Sequence, residues 1–158
     1  MTIKPGYGLQ SLHLRQSANS LKALYGPPRK RRKISELREY WLYPDYGFDC
    51  IVSKRSHRVL SLFLHRSQQV APIEEFSWHE TMVKEAYCEP QQAGGGFLMG
   101  SILVDRWFTY DAGIGFHFDT DGNVNLVAIF AEKAVSKAKR PVHASRHRMP
   151  ELIAALRQ

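Results

Sequence analysis

The sequence predicts an α+β fold: two tandem helix-plus-three-strand repeats share one antiparallel sheet, with both helices on one face and a short helix near the C-terminus. Three observations carry this reading. The chain is 158 residues long, enough for one domain with its own core. Its second half echoes the first at a nearly constant offset. In each copy, apolar residues first recur at helical spacing and then at strand spacing. With 44% hydrophobic and 23% charged residues, the composition excludes a disordered or collagen-like chain.

The repeat is read first because it constrains every later assignment. A shift of 62 positions superposes Leu14 on Phe76, Leu21 on Val83, Lys22 on Lys84, Tyr25 on Tyr87 and Pro28 on Pro90. A shift of 66 aligns Trp41 with Trp107, Gly47 with Gly113 and Phe48 with Ile114. A shift of 65 aligns Val59 with Val124, Leu62 with Val127 and Leu64 with Ile129. The length changes fall where loops are expected. Residues 1–132 then form a single domain, with repeats over about 10–66 and 74–131 and a basic tail at 133–158.

Each repeat opens on a short helix. In the first, Ala18, Leu21, Leu24 and Tyr25 share a face, and Gly26, Pro27 and Pro28 end the helix. In the second, Ser77 and Glu80 make an S-x-x-E capping box, followed by Met82, Val83, Ala86 and Tyr87 on the apolar face. Three strands follow in each copy: Leu37–Tyr43, Phe48–Val52 and Val59–Leu64, then Ile102–Tyr110, Gly113–Phe118 and Val124–Phe130. Asp119–Asn123 is a hairpin turn with Gly122 at a positive φ. Pro150 suits the first residue of the tail helix, whose apolar stripe is Leu152, Ile153 and Leu156.

A helix ending in Tyr25-Gly26-Pro27-Pro28, a W-x-x-Y strand (Trp107–Tyr110), a G-I-x-F strand (Gly113–Phe116), a turn and a returning apolar strand form one pattern. Over residues 10–131 it resembles the tandem-repeat domains of β-lactamase inhibitory proteins and of SmpA-type outer-membrane assembly lipoproteins. The resemblance implies a non-enzymatic domain that binds another protein through its exposed sheet face. It does not extend to a lipobox cysteine or paired disulfides: Cys50 and Cys88, the two cysteines, are far apart and read as small buried hydrophobes. Met1–Gly8 lacks the apolar stretch of a signal peptide, so a cytoplasmic protein is expected.

The net charge of +7 is an average over unlike parts. Residues 1–72 carry 13 Lys and Arg against 4 Asp and Glu, residues 73–132 carry 2 against 10, and residues 133–158 carry 7 against 1. Opposite poles favour an acidic or basic partner, or a second copy in a homodimer. The densest feature is Arg29, Lys30, Arg31, Arg32 and Lys33, five consecutive cations. They are expected in a loop between the first helix and its sheet, where the second copy has the neutral Gln91–Gly96. Such a run fits an acidic protein or nucleic acid, with salt-dependent binding.

Nothing in the sequence reaches a catalytic constellation. Gly95–Ser101 lacks the lysine of a phosphate loop. His143 and His147 share a helical spacing, but their basic surroundings oppose a metal. His117 and Asp119 point the same way along a strand, where a general-base dyad is imaginable but such a pair is more often a solvent-face hydrogen bond. No enzyme activity, cofactor or metal is expected. Aromatic residues complete the candidate surface: Trp41, Tyr43 and Trp107 (with Thr109) on one face, and Tyr40, Phe108 and Tyr110 on the other, one set serving the core and the other exposed as anchors. The leading expectation is a protein-binding module of inhibitor, immunity or chaperone-like type, contacting its partner through Arg29–Lys33, Trp41, Tyr43, Trp107 and Tyr110. The alternative is a nucleic-acid-binding accessory protein using Arg29–Lys33 and the basic tail.

Overall fold

A computed structural model describes residues 3–66, 73–99 and 102–133. The chain is α+β, built on one antiparallel eight-stranded sheet and two helices. Helix α1 (Ala18–Tyr25) precedes strands β1 (Lys30–Ser35), β2 (Arg38–Tyr43), β3 (Phe48–Ser53) and β4 (Val59–His65). Helix α2 (Glu80–Tyr87) precedes β5 (Gln92–Gly94), the hairpin β6 (Phe97–Met99) and β7 (Ile102–Val104), then β8 (Trp107–Tyr110), β9 (Ile114–Phe118) and β10 (Val124–Phe130). The sheet order is β1-β2-β3-β4-β10-β9-β8-β5, so β4 and β10 pair at its centre, Leu64 opposite Val127 and Leu62 opposite Ile129. Among the described residues no helix is long and apolar enough to cross a membrane. The tail helix expected from Pro150, the His143–His147 pair and part of the Gly95–Ser101 stretch lie outside the described residues.

Alternation divides the strands between two buried clusters. The larger holds Trp41, Tyr43, Phe48, Cys50, Val52, Leu62 and Leu64 from the first half, and Phe108, Tyr110, Ile114, Phe116, Phe118, Val127 and Ile129 from the second. Leu21 of α1, Val83 of α2 and the N-terminal residues Ile3, Leu9, Leu12 and Leu14 belong to the same cluster. The smaller cluster, on the other face, holds Tyr40, Ile51, Phe63, Leu126, Ala128 and Phe130.

Both helices are two turns long and too short to persist without tertiary packing. The Ser17 side chain caps α1 by accepting from Ser20 N at 3.1 Å, and Gly26 ends it at φ +77°. The expected Ser77–Glu80 capping box does not form. Ser77 closes a short 3-10 turn and donates its hydroxyl to Glu74 O at 2.7 Å. His79 takes the cap instead, its Nδ1 accepting from Thr81 N at 3.3 Å. Only Ala18 and Leu21 of α1 and Val83 of α2 are buried; Leu24 and Met82 face solvent, because so short a helix presents little more than one residue per turn to the sheet. Cys88, expected inside, is exposed because it serves as the C-cap of α2 at φ +66°.

Two strand expectations change. The Ile102–Tyr110 strand divides at Asp105 and Arg106: β7 pairs with β6, and β8 pairs with β5 and β9. Gly95, at φ +79°, lies directly against the Asp105 carbonyl, a position no Cβ could share, so the chain leaves β5 there for the hairpin. The first half also has four strands rather than three, because the cationic run is itself strand β1.

Candidate functional site

Lys and Arg have no strong strand preference of their own, so β1 exists by pairing with β2. Lys30 lies opposite Leu42, Arg31 opposite Trp41, Arg32 opposite Tyr40 and Lys33 opposite Glu39, with a bulge between Lys33 and Ser35. Pairing sets Arg29, Arg31 and Lys33 on the face of Trp41, and Lys30 and Arg32 on the face of Tyr40. The strand is exposed except at the half-buried Arg32, and it stands at the end of the sheet. Arg29 makes a two-pronged ion pair with Asp45 at 2.9 and 3.0 Å, and Lys33 meets Glu36 at 2.6 Å. Both pairs are in water and contribute little to stability. At the tip of the β1–β2 hairpin, Ile34 and Leu37 are 46% and 57% exposed.

Beside β1 lies a cleft of about 610 Å³ whose lining includes Lys22, Arg31, Glu39, Trp41, Lys54 and His57. The Trp41 ring lies at the base of it, 3% exposed, with the Lys22 ammonium 5.3 Å and the Arg31 guanidinium 4.4 Å from its centre. Its indole N–H donates to Glu39 Oε2 at 2.9 Å, while Lys54 Nζ stands 3.8 Å from Glu39 Oε1. Lys22 and Arg31 thus lie over the ring, and of the three cations Lys54 is the one placed beside the Glu39 carboxylate. The indole is a support for cations rather than an open stacking platform. A second cleft, of about 270 Å³, is lined by Glu80, Asp105, Asp119 and Asp121, with Arg106 paired to Glu80.

The sequence-predicted residues are therefore brought together only in part. Arg31 and Trp41 meet in the basic cleft; Lys30, Arg32 and Lys33 continue along the same strand. Tyr43 and Tyr110 are each 2% exposed. Their hydroxyls donate to Gly26 O at 3.1 Å and Cys88 O at 3.0 Å, and burial pushes each phenol up to about 12. Trp107 is half-buried on the opposite face from Trp41, against the smaller cluster. The expected aromatic faces are thus regrouped: Trp41 and Tyr43 share theirs with Phe108 and Tyr110.

The imagined His117–Asp119 dyad does not form. His117 Nδ1 meets Asn125 Oδ1 at 2.7 Å, and Asp119 Oδ1 accepts from the Asp121 and Asn123 amides of its own turn. Sequence reasoning missed the buried Asp49, whose Oδ2 accepts from Tyr40 OH at 2.9 Å and lies 2.8 Å from His65 Nε2. Burial, and then the Asp49 charge, raise the Tyr40 phenol far above its usual range. The arrangement holds the Tyr40 phenol protonated. Lys22 and Lys54 were missed as well, since nothing in the linear chain links them to Arg31. Among the described residues no group of His, Cys, Asp and Glu is arranged to hold a metal ion.

No family model and no curated protein matches this sequence. The fold is similar to that of solved structures. A DUF4309-family protein, YjgB, from Bacillus subtilis aligns with a TM-score of 0.53 at 12% identity, over 80% of this chain and 88% of that one. A cysteine-rich secretory protein from Staphylococcus aureus aligns with a TM-score of 0.51 at 12% identity, over 90% of this chain and 56% of that one. At such identity the likeness is one of fold alone.

Proposed function

We propose that this chain is a non-enzymatic, cytoplasmic protein-binding module made of two tandem helix-plus-strand repeats, whose contact surface is the β1–β2 hairpin with its basic cleft. Paired details support the duplication. Ala18 N donates to His57 O and Glu80 N to Gly122 O; Val59 N donates to Gln16 O and Val124 N to Trp78 O. Lys22 lies over Trp41 and Lys84 over Phe108, both at 5.3 Å. Tyr43 and Tyr110 bond the chain just beyond each helix. These pairs move the strand alignment by one position, matching Trp41 with Phe108 rather than Trp107. The placement of Leu21 and Val83 in one cluster supports helices on a single face.

The observation that carries the choice of surface is the difference between the two sheet ends. β1 has six residues, four of them Lys or Arg, and leads to exposed Ile34 and Leu37; β5 has three neutral residues. Long cationic exposed strands with apolar neighbours suit an acidic protein partner. The sheet-face route has less support, because Trp41, Tyr43 and Tyr110 are buried. The resemblance to inhibitory and assembly proteins favours binding over catalysis, as an inhibitor, immunity protein or adaptor. Nucleic acid is the second reading, favoured by the five-cation run itself.

Affinity capture tests the reading. Wild type and a variant with Arg29–Lys33 all changed to Gln are compared, each with and without nuclease. Protein partners that survive nuclease and are lost with the variant are expected. Partners that vanish with nuclease favour the second reading, and partners unaffected by the variant refute the surface.

A further inference from the structure

Resting on that reading of the surface, we propose that β1 accepts an acidic, extended peptide segment as an added strand, with one of its carboxylates entering the Trp41 cleft. The sheet ends at β1, a six-residue strand with one strand neighbour among the described residues, and such an edge is a template for main-chain pairing. Side chains on an added strand would lie about 5 Å from their β1 neighbours. Because the cations are consecutive, they alternate between the two faces. Residues at one parity of the added strand meet Arg29, Arg31 and Lys33, while those at the other meet Lys30 and Arg32. An unbroken Asp/Glu run of about five residues, roughly 15 Å long, matches that layout; a strand acidic at alternate positions would match one face only.

The cleft opens on the Arg31 face. There Arg31 lies against the Trp41 ring and not against a carboxylate, and Lys22 and Lys54 bring further positive charge. The second half shows the contrast. Glu80, which matches Ala18 in the repeat, neutralises Arg106 in its own cleft. Single-stranded nucleic acid is less well matched, since the ring at this site is covered by cations and cannot stack a base.

The test uses the full chain and fluorescent ten-residue poly-Glu, by anisotropy at 50 and 150 mM salt. Saturable binding and new hydrogen-exchange protection of β1 amides are expected. N-methylation of the five central peptide amides keeps the charge but removes the donors, and should weaken binding at least tenfold. Arg31→Gln with Lys33→Gln, checked for fold by circular dichroism, should also weaken it at least tenfold. If the methylated peptide binds within twofold, or β1 gains no protection, strand addition is overturned. Loss of binding in the Arg29–Lys33 Gln variant would then still uphold the cationic surface. If that variant also binds poly-Glu unchanged, both readings fall. A ten-nucleotide single-stranded DNA binding more tightly than the peptide overturns the peptide in favour of nucleic acid.

Discussion

Tyr43 and Tyr110 each tie a strand to the chain leaving a helix, and changing each to Phe isolates a single hydroxyl. The ring, which packs against Phe48 in one case and Tyr87 in the other, stays in place. Each substitution removes one hydrogen bond, to Gly26 O or Cys88 O. Because water reaches the exposed Cys88 and the half-buried Gly26, the orphaned carbonyls are rehydrated, and the cost at pH 7 is about 1 kcal/mol each. The two sites share no partner, so the double variant should lose about 2 kcal/mol. In a chain of this length that is a fall in Tm of about 4–8 °C.

The alkaline side supplies a sharper signature. Each phenol sits near 12 when folded, against 10.0 when unperturbed. A raised value contributes stability that is complete below pH 10 and is lost as the pH climbs to about 12, at most about 2.7 kcal/mol per tyrosine. A Phe variant has no such loss. The deficit of each single variant should therefore shrink above pH 10 and reach zero near pH 11. Urea unfolding from pH 7 to 11, followed by tryptophan fluorescence, measures the gap directly. A gap that stays constant to pH 11 would refute the reasoning, as would a Phe variant equal to wild type at pH 7.

Two further substitutions probe the core and the backbone. Glu75 is 4% exposed, with no hydrogen-bond partner for Oε2 among the described residues, and burial holds its carboxyl above the ordinary 4.5. Its favourable contribution is complete below that value and disappears as the pH rises through the raised folded value, so Glu75→Gln should flatten the fall in stability as the pH rises above 4.5; urea titrations with identical pH dependence would refute this. Gly113 has φ +93° and packs against the Phe130 carbonyl and Gly6, leaving no room for a Cβ. Gly113→Ala should cost about 2 kcal/mol or more, and a Tm within 2 °C of wild type by calorimetry would contradict it.

The elements legible from the sequence were those in which local preference and burial agree. Val124–Phe130 was predicted to the residue because it is apolar save at Asn125, carries the β-branched Val124, Val127 and Ile129, and is buried on both faces save at Asn125. Leu21 and Gly26 likewise mark α1 by face and stop. Where preference and pairing disagree, the sequence misleads: Arg29–Lys33 reads as a loop until the β2 ladder draws it into the sheet. The Trp41–Trp107 match failed for a related reason. A strand flips every side chain with a one-residue slip, and the slip is visible only in which rings meet in the core.

Composition and periodicity alone determined an α+β chain with two short helices, most of the central strands and an uneven charge, because each depends on neighbours within a few residues. Tertiary structure decided that the cationic run is an edge strand, that Trp41 and Trp107 lie on opposite faces, and that Lys22 and Arg31 lie over one indole with Lys54 in the same cleft. Those outcomes depend on register and on contacts between distant segments, whose free energy arises only once the sheet has closed at β4 and β10.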